Sequence, residues 1–223
     1  MSVVLLIIYE EASQLIQRIP FAAADPQCSE GADVAYMLDI SDVSPFNYGL
    51  GKDFVKRTMT KLANKSSKVK AAVVLYHHEA TVQLNFTKTF DLVDFLHSMD
   101  NLPPVDPCMV SLARIDSVLQ VTLNRVFSTE EDRNKPKIAV LITQGVPPFL
   151  LERFPLKDVS ESLKERGVRI LALGIGLNGA TQQELQNITE DRDDLTLANG
   201  FTSLGDFEDI LVTKICSAAS KFT

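Results

Sequence analysis

The chain lacks two features that would place it in a membrane or on a nucleic acid. No apolar run among its 223 residues approaches the roughly 18–20 residues that a membrane-spanning helix needs. Lysine and arginine total 22 against 29 aspartates and glutamates, so the net charge is −7, and the basic residues are scattered along the chain. Because phosphate recognition depends on a basic surface, the composition disfavours a nucleic-acid partner.

Histidine and cysteine are scarce, which weighs against zinc binding and nucleophilic catalysis. The histidines are His77, His78 and His97, and no cysteine or carboxylate near them completes a zinc-binding spacing. Cys108 has no histidine near it in sequence, and the chain contains no G-x-S-x-G motif. We therefore assign no catalytic residue.

The three cysteines, Cys28, Cys108 and Cys216, leave two interpretations open. A disulfide between Cys28 and Cys216 would join the start of the first predicted strand to the last predicted helix and close nearly the whole domain. Alternatively, all three are buried free thiols. The sequence does not decide the connectivity.

What the chain does contain is a regular alternation of short apolar runs and amphipathic stretches. This alternation predicts an α/β fold, a three-layer, doubly wound, mostly parallel six-stranded sheet with helices on both faces. We predict one domain over residues 29–219, preceded by an N-terminal extension over 1–28 that is possibly the tail of a preceding module. The predicted strands are 33–39, 68–76, 81–86, 136–143, 168–175 and 195–198; the predicted helices are 46–62, 90–99, 110–127, 156–166, 181–189 and 203–218.

One stretch, 32–44, combines a buried strand with polar side chains at its end. The apolar run 34–38 ends at Asp39, and Ser41, Asp42 and Ser44 follow. A short continuous apolar run is typical of a strand covered on both faces, and open α/β sheets bind ligands beyond the carboxyl ends of their strands. Carboxylates and hydroxyls without histidine or cysteine suit a hard cation such as Mg²⁺ or Ca²⁺.

A glycine motif supports a different class of protein. Gly174, Gly176 and Gly179 form G-x-G-x-x-G between a predicted strand and a predicted helix, the context of a dinucleotide site in a Rossmann-like enzyme. The motif follows the fifth strand rather than the first, and no acidic residue ends the next strand. The competing interpretation is a tight turn from strand to helix.

Six local strings follow one another along the chain: ADVAYMLDIS (32–41), GKDFVKR (51–57), VKAAVVLY (69–76), PKIAVLITQG (136–145), RGVRILALGIG (166–176) and FTSLGDFEDIL (201–211). These strings and the order of elements resemble the von Willebrand factor type A domain, and within that family the modules of collagen VI alpha chains. The resemblance implies the sheet order 3-2-1-4-5-6 with one antiparallel edge strand. It also implies a secreted, non-enzymatic module for matrix assembly or cell adhesion, whose partners are matrix proteins, collagens or neighbouring type A modules.

The resemblance also implies a metal-ion-dependent adhesion site, of which this sequence keeps only part. The family pattern has D-x-S-x-S after strand one, a threonine before the long helix and an aspartate after strand four. Asp39 and Ser41 match, whereas Val43, Ile115 and Gln144 stand in the other three slots.

One carboxylate is too little charge to hold a divalent cation well. We therefore expect a degenerate site with no bound metal, in which Asp39 and Ser41 shape the loop through hydrogen bonds to backbone. The alternative is a rebuilt Mg²⁺ or Ca²⁺ site that uses Asp39 with Asp42 or Asp116; Asp106 is a further acidic residue near the same edge.

Three N-x-[ST] triplets begin at Asn64, Asn85 and Asn187. If the protein is secreted, each is a candidate for N-linked glycosylation. Asn64 is the first choice because it ends a predicted helix, whereas Asn85 lies on a predicted edge strand and Asn187 lies inside a short helix.

Overall fold

The structure is a computed structural model that describes residues 28, 30–106, 113–128, 135–145, 155–177 and 179–220. Its strands are β1 (Asp33–Asp39), β2 (Lys70–Tyr76), β3 (Ala80–Leu84), β4 (Lys137–Thr143), β5 (Val168–Ile175) and β6 (Leu195–Ala198). They form one six-stranded sheet in the order β3-β2-β1-β4-β5-β6. All pairs are parallel except β2 with β3. The predicted fold class and sheet order are confirmed.

Helices cover both faces of this sheet. They are α1 (Pro45–Lys65), α2 (Leu92–Asp100), α3 (Ile115–Val121), α4 (Leu156–Glu165), α5 (Gly179–Ile188) and α6 (Glu208–Ser220). Buried side chains of α1, α2 and α6 pack in one core, and those of α3, α4 and α5 pack in the other. The fold therefore has three layers, with the sheet in the middle.

The central strand β1 shows why the sequence reads as an unbroken apolar run. All seven of its residues are buried. Tyr36 and Leu38 contribute to the core with α1, whereas Ala35 and Met37 contribute to the core with α3. Successive side chains of a strand point to opposite faces, so a strand covered on both sides needs apolar residues at consecutive positions.

All six predicted helices differ from the structure in at least one bound, and two of them also differ in type. The helix predicted at 110–127 is described as α3 followed by a π-helical segment, Thr122–Val126, and residues 110–112 lie outside the described part. The helix predicted from 181 begins two residues earlier, at Gly179. The last helix, predicted from 203, begins at Glu208 after a 3₁₀ segment, Phe201–Phe207, in which the Ser203 backbone N–H (3.1 Å) and hydroxyl (2.8 Å) both donate to the Gly200 carbonyl.

A disulfide joins the entry of β1 to α6. The sulfur atoms of Cys28 and Cys216 lie 1.90 Å apart across a separation of 188 residues, and both residues are fully buried in the core that contains α1. This is one of the two arrangements that the sequence left open. Cys108 lies outside the described residues.

In the part of the chain that the structure describes, no helix is both long and apolar enough to cross a membrane. Residues 1–27, which make up all but the last residue of the predicted N-terminal extension, lie outside that part.

Candidate functional site

The candidate site lies where β1 ends, between the ends of β2 and β4. Asp39 is the last residue of β1 and its side chain is 2% exposed. Its Oδ1 accepts hydrogen bonds from the Ser41 backbone N–H (2.9 Å) and the Ser41 hydroxyl (2.5 Å). Its Oδ2 accepts from the Thr143 hydroxyl (3.0 Å) and the Gln144 backbone N–H (3.1 Å). Each carboxylate oxygen therefore already has two protein donors.

Burial dominates the electrostatics of this site. It raises the pKa of Asp39 above its ordinary value, and the hydrogen bonds from Ser41, Gln144 and Thr143 oppose that rise. Burial also raises the pKa of the Tyr76 phenol well above its ordinary value, with a further contribution from the Asp39 carboxylate. The neighbouring Thr143 hydroxyl opposes that rise. The strand end is thus a buried polar cluster around one carboxylate.

Gln144 ties the end of β4 to the loop after β1. Besides its backbone bond to Asp39, its side-chain Nε2 donates to the Ser41 carbonyl (3.1 Å). In the family pattern this slot holds a carboxylate. Here the side chain presents an N–H donor to a backbone acceptor, which links the two loops directly.

The other two substituted slots are part of the apolar cores. Val43 is 5% exposed and packs in the core that contains α1, whereas Ile115 is 1% exposed and packs in the opposite core. Ser44, the hydroxyl one residue late in the pattern, caps α1: its Oγ accepts from the Asn47 N–H (3.2 Å), with Pro45 following at the first helical position. The S-P dipeptide at 44–45 carries this capping signal in the sequence.

The acidic residues proposed for a rebuilt site are not gathered around Asp39. Asp116 is 1% exposed and accepts from the Arg114 guanidinium, Nε to Oδ1 at 3.2 Å and Nη2 to Oδ2. Asp42 is exposed with a left-handed backbone (φ 47°), and Asp106 is also exposed. Among the described residues, no group of three histidines, cysteines, aspartates or glutamates could hold a metal ion. Sequence reasoning missed the Arg114–Asp116 pair.

The sequence comparison decides the family. Residues 33–211 match the von Willebrand factor type A domain. The chain belongs to this family.

Relatives of known identity include matrix and adhesion proteins. The collagen alpha-4(VI) chain of Mus musculus is 20% identical over 194 residues, which cover 85% of this chain and 8% of that one. Proximal thread matrix protein 1 from the mussel byssus is 24% identical with a TM-score of 0.73, over 85% of this chain and 47% of that one. Its structure with a zinc-occupied metal-ion-dependent adhesion site is 25% identical, also with a TM-score of 0.73, over 86% of this chain and 47% of that one.

A bacterial protein shows the same fold at lower identity. The pilus adhesin SpaC from Lactobacillus rhamnosus GG is 15% identical with a TM-score of 0.67, over 87% of this chain and 31% of that one. This chain therefore spans less than half the length of each of these relatives.

In this type A domain, close packing and backbone conformation account for two of the three glycines of the motif. A Cβ on Gly174 would lie 2.3 Å from Leu177 Cδ1, and Gly176 has a φ of +65°, which side chains disfavour. Both glycines therefore serve the tight turn from β5 towards α5. No ligand is needed to account for them.

The three sequon asparagines are all exposed in the domain. Asn64 lies in the last turn of α1, Asn85 directly follows β3, and Asn187 lies in α5. Asn85 Nδ2 donates to the Arg125 carbonyl (3.4 Å). Glycosylation at these positions stays a prediction.

We expect Gln144→Ala to lower the free energy of unfolding by about 1 kcal/mol, because it removes the bond from Nε2 to the Ser41 carbonyl in a partly buried position. The matched control is Gln120→Ala on α3, whose half-buried side chain has no recorded hydrogen bond within the described residues. Urea denaturation of both variants measures the difference. Equal stabilities would contradict a structural role for the Gln144 side chain.

Proposed function

We propose that this type A domain is a non-enzymatic module of the extracellular matrix or of cell adhesion that makes protein–protein contacts without a bound cation. Its partners are matrix proteins, collagens or neighbouring type A modules. One observation carries the proposal: both oxygens of Asp39 are occupied by protein donors at the edge where the family pattern places a cation.

The donor set supports the absence of a cation. A divalent ion at Asp39 would have to displace hydrogen bonds from Ser41, Thr143 or Gln144, in buried or half-buried positions where a lost bond is costly. Of the residues in the family's ligand positions, only Asp39 would give the ion a carboxylate, since Val43 and Ile115 are apolar and Gln144 is neutral. Cation affinity depends strongly on the number of charged ligands.

The relatives support the setting of the proposal. The names of two of them place them in a collagen chain and in a byssal thread matrix. A domain of this family that is secreted into a matrix would bear exposed sequons such as Asn64, and it would retain the Cys28–Cys216 disulfide in an oxidising environment.

We also propose that the folded domain covers residues 29–219, as predicted from the sequence, and that Cys28, the last residue of the predicted extension over 1–28, belongs to it as well. Cys28 is fully buried and linked to α6, which supports placing the boundary just before it. Near the other end, Ala219 is 1% exposed and packs in the same core.

The proposal predicts that binding to a matrix ligand is unchanged by chelation. Immobilised triple-helical collagen and recombinant collagen VI type A modules are titrated with the domain in EDTA and in millimolar Mg²⁺. We expect the same affinity in both buffers for any ligand that binds. A ligand whose binding disappears in EDTA and returns with Mg²⁺ would contradict a cation-independent contact.

The second candidate is an adhesion module with a working, rebuilt cation site. It is favoured by the retained Asp39 and Ser41 and by the zinc-occupied site in the byssal relative at 25% identity. In that case the metal would take a carboxylate from the partner, and EDTA would abolish binding. The chelation experiment therefore separates the two candidates.

A further inference from the structure

A second candidate site lies at the opposite edge of the sheet, where the parallel strands begin. A cleft of about 590 Å³ opens between the starts of β1, β2 and β4, the segment after β3 and the π-helical segment. Among its described lining residues, four are cationic and one is acidic: Lys70, Lys88, Arg125 and Lys137 surround Asp33. The chain as a whole has a net charge of −7, so the described lining of this cleft differs from the chain in the sign of its charge.

The register of the sheet brings two of these cations together. Asp33, the first residue of β1, pairs with Lys70 on β2 and with Lys137 on β4. Asp33 is 2% exposed, whereas both lysines are half-buried and line the cleft. The two lysines are 67 positions apart in sequence, which is why the sequence suggests no cluster.

The other two cations come from outside the sheet. Lys88 follows β3, and Arg125 belongs to the π-helical segment Thr122–Val126. Wide π turns inside helices occur frequently at functional sites. Here the turn is held in place, because Arg166 Nη1 donates to the Leu123 carbonyl (2.9 Å) and Asn85 Nδ2 donates to the Arg125 carbonyl (3.4 Å).

The two cations from outside the sheet are accessible to a ligand. Lys88 and Arg125 are both exposed, and neither has a recorded ion pair within the described residues. Between them lies Phe86, a half-buried ring that packs against Phe127 with the centroids 5.5 Å apart. The cleft thus combines separated positive charges with an aromatic surface.

We propose that this cleft binds a sulfated polysaccharide, with sulfate or carboxylate groups on the cations and a sugar ring against Phe86. A stiff polyanion suits cations that come from four separate elements at fixed positions. The aromatic ring and the Asn85 amide match the apolar face and the hydroxyls of a sugar. The site lies at the edge of the sheet opposite Asp39, so it goes beyond the function proposed above.

The test is a titration with a heparin octasaccharide, followed by calorimetry or fluorescence at low salt. We expect saturable binding that weakens as salt increases, because exposed charge pairs are screened. Lys88→Gln combined with Arg125→Gln should weaken binding roughly tenfold. The matched control, Lys157→Gln with Arg192→Gln, removes one exposed lysine and one exposed arginine from α4 and from the segment before β6, and should bind like the unchanged protein.

Each other outcome would overturn the proposal. Equal losses in the two double variants would mean that binding follows net charge and not the cleft. A desulfated octasaccharide that binds as tightly would exclude recognition of sulfate, and a polyglutamate peptide of equal charge that binds more tightly would assign the cleft to an acidic protein segment. A glycan at Asn85 would stand at the cleft, so the same titration is run on glycosylated protein and on Thr87→Ala, which removes the sequon and keeps the Asn85 amide. Binding by that variant alone, or by neither protein, would exclude the site from the natural protein.

Discussion

Replacing Asp39 with alanine is expected to lower the free energy of unfolding by about 2–4 kcal/mol. The substitution deprives four donors of their acceptor: two on Ser41, one on Thr143 and one on Gln144. All four lie in or next to a buried cluster, so water replaces the lost acceptor poorly. Urea denaturation measures the change, and Ser41→Ala, which removes a single side-chain donor, should cost about 1 kcal/mol.

Asp39→Asn provides a sharper version of the same experiment. In either orientation its NH₂ group faces one backbone N–H, of Ser41 or of Gln144, and a backbone N–H cannot reverse to become an acceptor. We therefore expect a clear loss of stability even though the shape of the side chain is retained. A neutral or stabilising effect of both Asp39 variants would mean that the cost of burying the carboxylate, which raises its pKa, outweighs its hydrogen bonds.

Removing the disulfide is expected to have an effect of similar or larger size. Cys28→Ala combined with Cys216→Ala should lower the free energy of unfolding by up to about 5 kcal/mol, since the cross-link closes a loop with a separation of 188 residues in the unfolded chain. Alanine is used because serine would place hydroxyls in fully buried positions. Denaturation of the oxidised protein and of the double variant gives the difference.

Peptide mapping without reductant tests the pairing itself. We expect a cross-linked peptide that contains Cys28 and Cys216, and Cys108 in neither half of it. Cys108→Ser should therefore leave that peptide in place. A map in which Cys108 pairs with either of the other cysteines, or a protein whose stability does not respond to reductant, would contradict the disulfide.

The central strand shows what the sequence could predict well. The continuous apolar run before Asp39 indicated a strand covered on both faces, and all seven residues of β1 are buried. Such a pattern can be recognised in a single sequence because it depends only on neighbouring residues. The order of the strands in the sheet cannot, and it was predicted from the resemblance of the ordered strings to a family.

The contacts around the site show what the sequence could not predict. The bond from Gln144 to the Ser41 carbonyl spans 103 positions, and no local pattern marks it. The Arg114–Asp116 pair is close in sequence, but its burial depends on how α3 packs. The positive cleft arises because the register places Lys70 and Lys137 on either side of Asp33.

The most direct test of the central claim is a thermal unfolding titration with Mg²⁺ and Mn²⁺ into the millimolar range. An ion that binds the folded state alone raises the melting temperature with concentration. If the donors of Ser41, Thr143 and Gln144 occupy Asp39 in place of a cation, the melting temperature stays unchanged in both titrations. A saturable rise in the millimolar range that Asp39→Ala abolishes would contradict this account.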